Sequence, residues 1–96
     1  MNINLDTKFI KNFKHGKLLY QLYNFEEMWF PATSLSQPYL LNKSELKAAK
    51  DAIRENRRVD PIVVLDGFGV IAGFHLLEAY QELKFDRLPV IYGKLK

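Results

Sequence analysis

The stretch Val70–Tyr80 ("VIAGFHLLEAY") carries residues that could bind an anion. Small and apolar residues typical of a strand lead into Gly73, and a leucine-rich helical pattern begins at Phe74 and His75. Where a strand turns over a glycine into a helix, the free backbone N–H groups of the helix N-terminus attract phosphate groups. The candidate phosphate- or nucleotide-binding residues are therefore Gly73, Phe74 and His75.

A second set of chemically capable side chains lies on the helix that follows this glycine. His75, Glu78 and Glu82 are spaced i, i+3, i+7 and therefore share one polar face. His75 and Glu78, together with Asp66, could perform acid–base catalysis. The same spacing is also typical of a solvated polar face without chemistry. No further His or Asp stands close by in the sequence to complete a metal site, so we expect neither a metal nor a cofactor.

Basic residues recur at helical spacing between residues 43 and 58. At about 100° per residue, these side chains fall within roughly 60° of one line along a helix. Such a strip could follow a phosphate backbone or an acidic protein surface, although a solvated helix face rich in lysine would give the same pattern. The candidates for contact with nucleic acid or a partner are Lys43, Lys47, Lys50, Arg54, Arg57 and Arg58, and the patch could extend to Lys8, Lys11, Lys14 and Lys17.

The N-terminal third contains two aromatic-rich segments that we interpret as strands. Lys17–Tyr23 and Glu27–Leu35 have the composition of β-structure, with a turn at residues 24–26 between them. Pro31 indicates that the second strand lies at a sheet edge or ends early, because proline cannot donate to a ladder. Exposed aromatic side chains on such edge strands would suit a protein partner or a homo-oligomer.

The remaining elements predict a small α+β domain. The clearest helix is Lys43–Arg58, with Asn42 placed to cap it. The β-branched run Pro61–Leu65 is typical of a buried strand, and Asp66-Gly67 predicts a hairpin turn. The last elements are a hairpin strand at 68–72, a helix over Phe74–Phe85 and a strand over Leu88–Tyr92. This order predicts one mixed sheet with helices packed against it.

Length and composition limit the class of protein further. The 96 residues suffice for one compact domain, which we divide into an N-terminal extension at 1–30 and a main unit at 31–96. The net charge of +3 does not by itself indicate nucleic-acid binding. The absence of cysteine excludes disulfides, thiolate catalysis and Cys-ligated zinc, and it favours a reducing compartment. No apolar run approaches the roughly 20 residues of a spanning helix, so we expect a cytoplasmic protein without membrane contact.

Several landmarks follow one another in a fixed order between residues 36 and 91. They are Gln37-Pro38, the amphipathic helix, Pro61–Val64, the Asp66-Gly67 turn, Gly73, the helix that carries Ala79, and Leu88–Ile91. In order and spacing they resemble the N-terminal domain of the ParB/sulfiredoxin superfamily. The resemblance implies a single ParB/sulfiredoxin-like domain over a little more than half of the chain.

The phosphate-binding motif of that superfamily is degenerate here. ParB-type members have Gly-Glu-Arg-Arg at the helix start and sulfiredoxins have Gly-Cys-His-Arg, whereas this chain has Gly-Phe-His-Leu. Phe74 stands at the position of the sulfiredoxin nucleophile, which excludes that reaction. Leu76 and Glu78 stand where the resemblance implies phosphate-binding arginines, and Tyr39 replaces the arginine of the Gln-Pro-Arg pattern.

These observations predict a non-enzymatic ParB-like binding module of phage or plasmid type. It would contact nucleic acid or an acidic protein surface through its basic helix. Two alternatives stay open. The first is a nucleotide-binding or nucleotide-hydrolysing enzyme, or a ParB-like nuclease, that uses the turn Gly73–His75. The second is a protein inhibitor of a host defence or DNA-processing system.

Overall fold

A computed structural model describes residues 10, 13, 15–35 and 42–96. Its centre is a four-stranded sheet in the order β1-β4-β2-β3. Strand β4 pairs with β1 antiparallel and with β2 parallel, and β2 and β3 form an antiparallel hairpin. The strands are β1 (Tyr23–Pro31), β2 (Ile62–Leu65), β3 (Gly69–Ala72) and β4 (Arg87–Leu95); the helices are α1 (Gly16–Leu22), α2 (Lys43–Arg54) and α3 (Phe74–Glu82), with a 3-10 helix at Ala32–Ser34. The predicted α+β class with a mixed sheet is confirmed.

Both faces of the sheet are covered by apolar side chains. On one face, the core under α2 and α3 includes Val64, Leu77 and Val90. On the other, Ile10 packs against Val63 with Ala72 and Ile91, and Phe13 and Phe25 lie beside them. A strand buried on both sides has an uninterrupted apolar sequence, which explains the run of buried residues in β2. Across the described ranges no helix combines the length and apolarity that crossing a membrane requires.

Two N-terminal predictions are wrong. The segment Lys17–Tyr23 is not a strand, because residues up to Leu22 form α1. Its Lys, Leu and Gln residues have high helix propensity, which outweighs the two tyrosines that suggested a strand. The predicted turn at 24–26 lies inside β1 and pairs with residues 92–94 of β4. Strand β1 ends at Pro31 at the edge of the sheet, as predicted, and the rest of the predicted strand up to Leu35 includes the 3-10 helix.

The two long helices end earlier than predicted, and for the same reason. Helix α2 stops at Arg54 instead of Arg58 because Asn56 adopts a left-handed conformation, with φ +54°. Helix α3 stops at Glu82 instead of Phe85 because Lys84 does so too, with φ +65°. In both cases the backbone N–H groups after the helix turn back onto its last carbonyls, as in a Schellman motif. Asn is a common residue at this position, whereas Lys gives no such signal in the sequence.

Candidate functional site

Gly73 is required by the close packing of its turn against β2. It precedes α3 with φ +86°, a left-handed conformation that L-residues rarely adopt. A Cβ at this position would lie 2.7 Å from the Ile62 Cα and 3.0 Å from the Pro61 carbonyl oxygen. The backbone conformation and the proximity of β2 therefore both demand glycine, whether or not an anion binds. Phe74, the first residue of α3, is half-buried.

His75 lies in the contact between α2 and α3. Its Nε2 is 3.3 Å from the backbone nitrogen of Asn42 and 3.1 Å from Oε2 of Glu45. Without a proton, Nε2 accepts the hydrogen bond of the Asn42 N–H; with a proton, it donates to the Glu45 carboxylate. Nε2 therefore has a partner in either protonation state. The Glu45 carboxylate would also repel an approaching anion.

The other two members of the polar face are also close to a neighbouring charge. Lys50 of α2 donates to Oε1 of Glu82 at 2.6 Å, and both side chains are partly exposed. The hydrogen bond and the positive charge of Lys50 lower the pKa of Glu82 against the opposing effect of partial desolvation, and Glu78 lies one turn before Glu82 on the same face of α3. His75, Glu78 and Glu82 are thus placed along the flank of α3 that faces α2. Within the described ranges, no group of three acidic or His side chains is arranged to hold a metal ion.

The predicted basic strip is divided by these contacts. Lys43 and Lys47 are exposed and have no ion-pair partner among the described residues. Arg54 lies on the same line of α2 and is exposed, although one guanidinium nitrogen is 3.7 Å from Asp51. Lys50 lies nearer the core and is held by Glu82. Three of the four helical cations therefore form one exposed strip.

The last two basic candidates follow the end of the helix. Arg57 pairs with Glu55 at 2.7 Å, and Arg58 is exposed without an ion pair inside the described part of the chain. Their predicted helical register is wrong because α2 has already ended at Arg54. Lys17 is exposed on α1. Residues Lys8, Lys11, Lys14, Gln37, Pro38 and Tyr39, which the sequence patterns had singled out, lie outside the described residues.

The partners of the α3 flank were not identified from the sequence. Asn42 caps α2 as predicted, because its Oδ1 accepts hydrogen bonds from the Ser44 and Glu45 backbone nitrogens. Its own backbone N–H reaches across to His75. The sequence does contain one signal of this arrangement. On α2 the acid Glu45 comes before the base Lys50, and on α3 the base His75 comes before the acid Glu82, so the two helices carry opposite charge orders.

Comparison with known proteins indicates the fold. No protein-family model matches the chain, and a search of curated proteins gave no match. A solved structure described as a Pnob8-like ParB-N domain, in its C2221 form, is similar to 77% of this chain with a TM-score of 0.61. The sequence identity is 15%, and the match spans about a third (32%) of the solved chain. The chain has a ParB-N-like fold.

Proposed function

We propose that this chain is a non-enzymatic ParB-like module that binds the phosphate backbone of double-stranded DNA through α2. The observation that carries the proposal is the exposed strip of Lys43, Lys47 and Arg54 on one side of that helix. Arg58 extends the cationic surface beyond the helix end. A phage or plasmid setting rests on the resemblance to ParB proteins alone.

The dimensions of the strip suit a phosphate backbone. Lys43 and Arg54 are eleven residues apart, which at 1.5 Å per residue corresponds to about 16 Å along the helix axis. One DNA strand presents a phosphate about every 3.4 Å of helix axis, so several phosphates lie within that span. Long, flexible cationic side chains can reach such a row without reading bases, and we expect binding without sequence preference.

The turn at Gly73 supports a binding module more than a nucleotide enzyme. The packing against Ile62 accounts for the glycine, and the side chain of His75 already contacts Asn42 and Glu45. The proposal therefore gives His75 a structural role at the helix contact and assigns no chemistry to Glu78. Each arginine contact to phosphate that Leu76, Glu78 or Tyr39 replaces removes roughly 1.5–3 kcal/mol from a nucleotide site of this kind.

The test is the salt dependence of DNA binding in two matched double variants. Lys43→Ala/Lys47→Ala removes two cations of the strip, and Lys94→Ala/Lys96→Ala removes two exposed lysines at the end of β4. Each phosphate contact contributes about −0.9 to the slope of log K against log salt. The first variant should therefore make this slope shallower by about 1.8. The second should leave the slope unchanged.

The variant Lys50→Ala adds a discriminating measurement. Lys50 is bound to Glu82, so its removal should change the slope much less than Lys47→Ala does. Equal effects of all the lysine substitutions would indicate a general charge effect and contradict a binding strip on α2. A wild-type protein that does not retard DNA at about 50 mM salt, where phosphate contacts are strong, would refute the proposal.

A further inference from the structure

Strand β1 presents a long open edge. It is the outermost strand of the sheet, it has nine residues, and its outer side pairs with no strand in the described part of the chain. Unpaired N–H and C=O groups along such an edge can add a further strand. Trp29 on this strand is 50% exposed, so the edge also offers apolar surface next to its backbone groups.

A small cavity adjoins this edge on the face opposite α2 and α3. Its residues are Ile10, Tyr20, Phe25, Ile91, Glu26 and Glu27. Phe25 reaches over Gly93 of β4, where a Cβ would come within 2.7 Å of its ring. Tyr20 of α1 meets that ring edge-on, with centroids 5.2 Å apart. The aromatic pair gives the cavity an apolar floor on the face of β1 that it shares with Glu27.

The two carboxylates at this edge have no ion-pair partner among the residues that the structure describes. Glu26 and Glu27 are exposed and form no ion pair with a described residue, in a chain whose net charge is +3. Because successive side chains of a strand point to opposite faces, Glu26 and Glu27 lie on opposite sides of the sheet. An added strand would meet one carboxylate on each face.

We propose that β1 binds an extended basic segment of another protein, which joins the sheet as a fifth strand. Two adjacent Lys or Arg residues in that segment would point to opposite faces, one toward Glu26 and one toward Glu27. The cation on the cavity side would lay its aliphatic stem over Tyr20 and Phe25, with Trp29 available for a cation–π contact on the same face. This surface is distinct from α2 and its charge has the opposite sign.

Charge favours this occupant over a second copy of the chain. Glu26 and Glu27 stand near the middle of β1, so two antiparallel β1 strands in a centred register would bring carboxylates face to face. Like charges directly opposite each other in a ladder are destabilising. The same carboxylates attract a basic strand. The edge of β1 therefore favours a partner segment that is both extended and positively charged.

The chain contains a single tryptophan, Trp29, which reports directly on this edge. The probe is a blocked synthetic peptide, Thr-Val-Lys-Arg-Val-Thr, titrated to millimolar concentration while Trp29 emission and the β1 backbone amide signals are followed. Two control peptides accompany it: one with Glu-Glu in place of Lys-Arg, and one with alternate backbone nitrogens methylated. We expect saturable changes with the first peptide and none with either control.

The matched protein variants separate the edge from general charge. Glu26→Gln/Glu27→Gln should raise the Kd of the basic peptide about three- to ten-fold, the usual worth of two cross-strand ion pairs. Glu55→Gln/Asp60→Asn removes the same charge from exposed positions outside the sheet and should leave the Kd unchanged. No response of the wild type, equal weakening in both variants, or equal binding of the methylated peptide would each overturn the proposal. A stable wild-type dimer that buries Trp29 would assign the edge to a second copy and overturn it as well.

Discussion

Substitution of Gly73 by alanine separates the two reasons for a glycine at this turn. The left-handed conformation at φ +86° costs an L-residue about 1–2 kcal/mol. The added Cβ would also lie 2.7 Å from the Ile62 Cα, a backbone atom that cannot turn aside, so the turn or β2 must shift. Overpacking of this kind costs about 1–3 kcal/mol. We therefore expect Gly73→Ala to lower the free energy of unfolding by about 2–5 kcal/mol, a large part of the roughly 5–15 kcal/mol of a small domain.

Gly67→Ala is the matched control for this experiment. Gly67 has nearly the same backbone conformation, with φ +84°, but nothing lies within 4 Å of the position of its Cβ. Gly67→Ala should therefore lower the free energy of unfolding only by the conformational cost of about 1–2 kcal/mol. Urea unfolding of both variants, with equal m-values, measures the difference as a shift of the midpoint. Equal losses in the two variants would refute the argument that β2 packing demands Gly73.

The same pair of proteins tests for an anion at the turn. A ligand that binds the native state through the Gly73 turn would stabilise the wild type more than the alanine variant. We expect the difference between their midpoints to be independent of added orthophosphate or nucleoside triphosphate. A difference that grows with anion concentration would show that the turn binds the anion, and packing alone would then not explain the residue.

Three further predictions concern the core and the helix contact. Tyr80→Phe should leave the free energy of unfolding unchanged or raise it by up to about 1–2 kcal/mol, because the buried hydroxyl has no hydrogen-bond partner among the described residues. Burial also raises the pKa of Tyr80 to about 12. A loss of stability in this variant would contradict the prediction. Asn42→Ala should cost about 1 kcal/mol in urea unfolding by removing the cap of α2, and Asn42→Asp, which can still cap, should restore most of it. Lys50→Met should be less stable than the wild type at about pH 7, and this difference in stability should close as the pH falls below about 4. The reason is that Lys50 lowers the pKa of Glu82, which stabilises the fold above the ordinary glutamate pKa and ceases to do so once Glu82 is protonated. A difference that stays constant with pH would count against the ion pair.

The sequence predicted the elements whose pattern reflects burial and missed those set by local conformation. The β2–β3 hairpin, the cap at Asn42 and the strand end at Pro31 follow from residue type and spacing. The helix Gly16–Leu22 could not be told from a strand, because a short segment rich in Leu and Tyr suits both periods. The end of α3 was missed because Lys84 adopts a left-handed conformation that its residue type does not suggest.

The candidate site shows the same division. Helical spacing is enough to expect that Lys43 and Lys47 are exposed. The pairing of Lys50 with Glu82, in contrast, depends on how α2 packs against α3, a helix far from it in the sequence. Spacing within α2 places Lys50 on the basic strip together with Lys47. Only the position of α3 shows that Lys50 pairs with Glu82, while Lys47 has no ion-pair partner in the described part of the chain.

The contact between α2 and α3 is made by side chains of the two helices themselves. A cluster of arginines at the start of α3 would repel itself unless phosphate bound there, so its stability would depend on ligand. In this chain the first turn of α3 instead presents His75 to the carboxylate of Glu45, and the last turn presents Glu82 to Lys50. Glu45 and Lys50 of α2 thus supply the partners of His75 and Glu82, and these two contacts join the helices. Because this packing engages Lys50 of α2, the proposed DNA contact would use the exposed side of that helix, where Lys43 and Lys47 have no ion-pair partner within the described residues.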